Sequence, residues 1–401
     1  MMYLTTYHYS LLSLLREYLQ SEKSELTVAR KEIKFGREGW QNLYNLSSKH
    51  GVASMVFEML NISERASQLE LEFIPENNSK VNSDNINNDT LLVKYGLIDI
   101  ETNIPPADLL TKWKIDTQNS EDIYKKDVDI IKELLAFFRI NDIDALIING
   151  VGFGQMFVHP SHRHYGDVDI FLGSEYTRGN KLLGKLGMNI EVVNQNYSTF
   201  KFRGVTVRNH KCFYFHQFRH RIFTKQDKRV DKQLMKFLES GYDTVSVDDI
   251  EVKTPNPEFM LLYLTRHLVL HFLEYGIYLR HLCDINLLIE RNRDSIDFAK
   301  MEKIFKKCHI LKLFTSFISI CKTHLGLNLD LNLKEDKDLT QRILNDMFFN
   351  KYRLIDKGKF KKMRALGRYF FRISYLFSSK WKYDHIQRGL FLRMLPYKLL
   401  F

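Results

Sequence analysis

The chain has 401 residues, 44% apolar and 27% charged, with 19 Gly and 7 Pro; these values fit a large buried core and exclude collagen-like and Pro-rich disordered classes. An aromatic content of 13% argues against a mostly disordered chain. The net charge is 59 − 48 = +11, and residues 351–401 carry 14 Lys/Arg against Asp356 and Asp384, so the whole surplus lies in that tail.

The opening MMYLTTYHYSLLSLLREYLQ lacks a basic leader and is interrupted by Arg16 and Glu17, so no signal peptide is expected. No apolar run is long enough for a transmembrane helix. Cys212, Cys283, Cys308 and Cys321 are too few for a disulfide scaffold, which suggests reduced thiols in a cytoplasmic protein. With no C-x-x-C pair, Cys308-His309 and Cys321-x-x-His324 read as buried thiols and not as zinc ligands.

Leucines at helical spacing predict a helix over 7–21. A second is expected over 38–60, broken near Gly51. Pro75–Thr90 is Asn/Asp-rich and reads as a loop or disordered insert. Helical pattern returns over 105–139, with Ile130, Ile131, Leu134, Leu135 and Phe138 on the apolar side of its last turns. After an Asn141-Asp142 turn, Asp144–Ile148 reads as a buried strand and Gln155–Val158 as a short helix. A polar loop, His159–Gly166, leads to a strand, Val168–Leu172, and a helix, Tyr176–Leu186. Thr199–Arg203 and Val205–Asn209 flank Gly204 as a hairpin. From Thr254 onward the chain is mostly helical, with Asn256 as N-cap and Pro257 in the first turn.

The turn I-I-N-G-V-G-F-G fails the dinucleotide fingerprint G-x-G-x-x-G, because Gln155 or Phe157 stands where the third glycine belongs. No P-loop signature exists either. The stronger signal is Gly150 followed by G-D-V-D-I-F at 166–171. Asp167 and Asp169, at i and i+2 on a strand, point to one face. Two adjacent carboxylates repel unless a cation lies between them, and Mg²⁺ (or Mn²⁺) prefers carboxylate plus phosphate oxygens. A glycine turn beside them lets backbone N–H groups approach phosphates. Together these parts suit nucleotidyl transfer.

Asn149-Gly150, Val158-His159-Pro160 and Arg163-His164-Tyr165-Gly166-Asp167-Val168-Asp169 resemble the central motif of the uncharacterised nucleotidyltransferase family, within the polymerase-β-like superfamily. Trp40-x-x-Leu43 with His50-Gly51-Val52 is similar to that family's N-terminal helix. Residues 254–289, with His267, His271, Gly276, Arg280 and Asp284, are similar to its C-terminal helical segment. The resemblance implies an α+β fold: a small mixed sheet with helices, flanked by helical regions. The expected layout is 1–75 helical, 76–104 polar loop and linker, 105–250 α/β core, 251–350 helical and 351–401 basic tail.

It also implies metal binding and catalysis by Asp167 and Asp169, with Gly150, Val151, Gly152 and Arg163 at the nucleotide. Arg163 either holds a phosphate, braces the D-x-D loop or is a surface loop arginine. His210, His271 and Arg280 are candidates for the cleft between the α/β and helical parts, with helix packing or a structural histidine as the alternatives. His267 and His271, at i and i+4, have metal-ligand spacing, but no Glu follows His267 as in H-E-x-x-H.

Two positions depart from the family pattern. Asn149 replaces the lysine before the glycine, and Arg208 stands where a third carboxylate belongs, with Glu191 as a substitute from a neighbouring strand or loop. The expected function is therefore Mg²⁺-dependent transfer of a nucleoside monophosphate from an NTP to an unknown acceptor (small molecule, sugar-linked or protein), releasing pyrophosphate. The alternative is a catalytically degenerate binding or scaffold protein. The tail mixes Lys and Arg with Tyr369, Phe370, Phe371, Tyr375, Phe377, Trp381 and Tyr383. It could lie on an anionic membrane surface, contact RNA, or form a terminal helical layer packed on the body.

Overall fold

The computed structural model describes residues 3–21, 33–60, 102–193, 196–213, 225–274, 276–331, 333–350, 365–386, 390–392 and 395. The Asn-rich stretch, His216 and His220 lie outside them.

The amphipathic N-terminal pattern gives α1 (Thr6–Gln20), α2 (Arg37–Lys49) and α3 (Ala53–Met59). Gly51, at φ +68°, separates α2 from α3, where the left-handed conformation favours glycine. The long helix α4 (Ala107–Ile140) is continuous over 34 residues. Trp40 on α2 and Trp113 on α4 are fully buried, and Trp40 Nε1 donates to the Thr102 carbonyl at 3.2 Å.

The α/β part follows. β1 (Leu146–Asn149) runs into a four-residue helix, α5 (Val151–Gly154). The helix thus occupies the glycines themselves, and the expected helix over Gln155–Val158 is a turn. Next come β2 (Val168–Phe171), α6 (Tyr176–Lys185), β3 (Glu191–Val193), β4 (Tyr197–Phe202) and β5 (Val205–His210). They form a five-stranded sheet in the order β1-β2-β5-β4-β3, in which β2 and β5 are parallel and the other pairs antiparallel.

Alternation gives this sheet two different faces. Val168, Ile170, Phe200 and Val207 pack with Ile130, Ile131, Leu134 and Phe138 of α4 in a smaller core. The opposite face carries Asp169, Phe171, Arg208 and His210, with Phe171 against the larger core. That core is mostly helical and includes Phe259, Tyr263 and Leu282.

Helix α7 (Lys225–Glu239) and a hairpin, β6 (Tyr242–Val247) and β7 (Ile250–Pro255), complete the centre. The hairpin crosses position 250, where the sequence suggested the core should end. Its outer strand alternates weakly and is largely exposed, so periodicity did not reveal it. Helices α8 (Pro257–Glu274), α9 (Leu279–Arg291), α10 (Phe298–Lys307), α11 (Leu311–Leu325) and α12 (Lys337–Phe349) follow. Asn256 caps α8 as expected: its Oδ1 accepts the Phe259 N–H at 2.9 Å.

In the tail, α13 (Ala365–Ser378) and α14 (Lys380–Asp384) are helical. Leu376, Tyr383, Leu390 and Phe391 join the main core, and the Tyr383 hydroxyl donates to the Leu273 carbonyl at 3.2 Å. Tyr369, Phe370 and Phe377 are exposed. All four cysteines are free, and Cys283, Cys308 and Cys321 are buried. Among the described residues, no helix is long and apolar enough to cross a membrane.

Candidate nucleotide site

Gly150 ends β1 at φ +103° and ψ −130°, a conformation essentially reserved for glycine. It turns the chain straight into α5. Val151 and Gly152 are buried there. A Cβ on Gly152 would meet Thr254 Cγ2 of β7 at 2.5 Å, so this glycine also permits close packing of the hairpin.

Asp169 lies in register between Asn149 of β1 and Arg208 of β5. Its carboxylate is buried and sits 2.9 Å from His210 Nε2. Burial pushes the Asp169 carboxyl up. The His210 hydrogen bond, with the positive charge of Arg208, outweighs this and holds it below the usual range. His210 is positioned by stacking on Phe213, with centroids 5.5 Å apart.

Asp167 stands just before the strand, with its side chain 33% exposed, and forms an ion pair with Arg208. Register continues across the sheet from Arg208 to Thr199 of β4 and on to Glu191 of β3. Glu191 therefore shares the face of Asp169 but lies three strands away, roughly 14 Å at the usual strand spacing. It is too far to share an ion with Asp169.

Arg163 is buried and forked onto Asp284 of α9, with Nε–Oδ1 at 2.9 Å and Nη2–Oδ2 at 3.0 Å. Its Nη2 also donates to Asn149 Oδ1 at 3.2 Å, and the guanidinium lies 5.0 and 5.3 Å from the ring centroids of Phe153 and Tyr165. Burial would lower its pKa, but the Asp284 charge reverses the sign and keeps it cationic. This geometry is that of a brace between the D-x-D loop, the glycine turn and the helical part.

Asn149, where the family pattern has lysine, serves that brace. Arg280 is tied in from the other side: its backbone N–H meets the His50 carbonyl at 3.4 Å, and its ring partner is Tyr278 at 5.0 Å.

The three histidines of the polar loop do not converge. His159 and His162 face Glu58, and His162 also meets Glu121 at 3.1 Å. Burial, aided by Arg280 and Arg163, lowers the His164 pKa to about 4.

Helix α8 brings a ladder of rings to the sheet: Phe259, Tyr263, His267 and His271 are spaced by four, with successive centroids 5.8, 6.3 and 4.4 Å apart. Burial lowers His267 to about 4 and raises Tyr263 well above its ordinary value, the charge of Asp169 adding to the latter. His267 also feels Asp284, so this ladder lies between the D-x-D strand and α9.

The sequence reading did not single out His281, which completes a cluster with His267 and His271. Its place in the first turn of α9, across an inter-helix connection, left no spacing signal. Asp127 on α4 was also missed. It is buried, and burial, partly offset by Lys126 and reinforced by the Asp167 charge, raises its pKa to about 6.

A glycine turn after one strand, one carboxylate just before the next and one on it, and a third strand parallel to that one define a nucleotidyltransferase core flanked by helices. The chain belongs to the uncharacterised nucleotidyltransferase family, whose model matches residues 36–326. No curated protein and no solved structure matches the chain.

Proposed function

We propose that the protein transfers a nucleoside monophosphate from an NTP to an acceptor, releasing pyrophosphate. The observation that carries this reading is Asp169 in register with Asn149, the residue before the Gly150 turn, with Asp167 just ahead of the same strand. This donor set suits one divalent ion, Mg²⁺ or Mn²⁺, held by the two aspartates. The three-carboxylate set for two ions is incomplete, because Arg208 fills the third place. A bound ion supplies charge neutralisation at the triphosphate.

The chain's own residues do the rest. The exposed Asp167–Arg208 pair can open, since such pairs are worth about 0–1 kcal/mol. Arg208 then turns its guanidinium toward phosphate oxygens. Gly150 leaves the backbone uncovered for close approach. His210 holds Asp169 in place, and Arg163 fixes the loop that carries Asp167 through Asp284.

A second reading, a binding protein that has lost turnover, is favoured by Arg208 itself. Calorimetry with each NTP and Mg²⁺ or Mn²⁺, followed by pyrophosphate release, separates the two. Binding with release supports transfer, whereas binding without release, over a panel of acceptors, supports the second reading. No binding of any NTP contradicts both.

A further inference from the structure

We infer that His267, His271 and His281 form a binding site for a transition-metal ion of the zinc type, separate from the D-x-D carboxylates. One ring nitrogen of each lies within 4.8 Å of the others. The tightest pair, the Nε2 atoms of His267 and His271, is 2.9 Å apart. Two imidazole nitrogens that close either share a proton or face one cation.

In a tetrahedral site with bonds of about 2.0–2.1 Å, ligand nitrogens lie roughly 3.3 Å apart. The observed spread closes to this with a small ring movement. The three residues come from two helices, so their geometry is fixed by the packing of α8 on α9. All three are half-buried, and three protein ligands would leave the fourth position of a tetrahedral ion to water or a substrate atom.

Imidazole ligands select zinc, copper, nickel or cobalt over magnesium and manganese, so the two sites discriminate by ligand type. Nearby formal charges cancel: Asp169 and Asp284 favour a cation at His267, while Arg208 and Arg280 oppose it. Ligand bonds therefore decide the affinity. The Tyr278 N–H donates to His281 Nδ1 at 3.2 Å. Coordination gives up this contact whichever nitrogen is used, because Nδ1 then either binds the ion or carries the proton. Metal-binding histidines usually gain support from an acceptor at the second nitrogen.

The test is Co²⁺ titration of the full-length protein after dialysis against EDTA. One equivalent should bind with strong visible absorption of the tetrahedral type, displaced by Zn²⁺. His281→Ala and His271→Gln, each checked for folding by circular dichroism, should weaken binding by more than 100-fold, beyond the usual loss at supporting residues. Asp167→Ala/Asp169→Ala, which removes one favourable charge at His267, should weaken it far less than either histidine variant does. Unaltered Co²⁺ binding in the folded histidine variants, loss only in the aspartate variant, or no tetrahedral spectrum would overturn the inference.

Discussion

Arg208 and Asp167 form an ion pair at the open end of the D-x-D strand, and Arg208 stands in register beside Asp169. One guanidinium thus neutralises the acid that reaches solvent. The pair is 41% and 33% exposed, so it competes with a metal ion without excluding it. Arg208→Ala should tighten Mn²⁺ at the aspartates by up to about tenfold, equivalent to about 1.4 kcal/mol. Arg208→Glu, which restores a third carboxylate, should tighten it further. Mn²⁺ titration followed by electron paramagnetic resonance reads this directly, since the hard ion avoids the histidine cluster. Weaker Mn²⁺ binding in both variants would mean that Arg208 does not compete there.

Arg163 and Asp284 are expected to matter first for stability. Removing either partner strands a buried charge, at a cost of about 3–5 kcal/mol. Arg163→Ala and Asp284→Ala should each lower the urea midpoint strongly, and the double variant should cost much less than the sum. Arg163→Lys keeps the charge but loses the fork, so it should fall between wild type and Arg163→Ala. Additive losses in the double-mutant cycle would argue against a coupled pair.

Asp127 gives a pH prediction. Its carboxyl titrates near pH 6 in the folded chain, against an ordinary value near 3.8. The folded state therefore binds more protons between these values, so this group's contribution to stability falls as pH rises through that window. Because its oxygens still reach some water, about 1–2 kcal/mol is a fair magnitude. Asp127→Asn should raise the melting temperature at pH 7.5 and leave it nearly unchanged at pH 4. An equal shift at both would show that ionisation is not the cause.

The tail should behave as part of the body. Lys382 is buried, with its Nζ 2.6 Å from Asp346 Oδ2 and 4.8 Å from the Phe272 ring centroid. Asp346→Ala should cost about 3–5 kcal/mol because it removes the carboxylate that faces a buried ammonium. A thermal melt unchanged by the substitution would mean that α14 does not dock on the helical part in solution.

Much of this was legible in the sequence where one rule dominated. The Leu spacing of α1, the apolar stripe of α4 and the Asn256-Pro257 start of α8 each follow from a single local pattern. Asp167 and Asp169 stood out as a D-x-D pair, but the strand begins only at Val168, so Asp167 sits at its open end outside the period-2 alternation. What failed to show was set by tertiary contact. The glycine turn was readable as a turn, yet its short helix starts at Val151 because the hairpin β6–β7 packs onto it. Arg163 gave no hint of its partner, 121 positions away on α9. His281 joins His267 and His271 only because two helices fold against each other.

The most direct test of the central claim is nucleotide binding by calorimetry, wild type against Asp167→Ala/Asp169→Ala, with and without Mg²⁺. The account predicts Mg²⁺-dependent NTP binding in the wild type that is lost in the double variant. Equal binding by the folded double variant, or no binding by the wild type to any NTP, would contradict it.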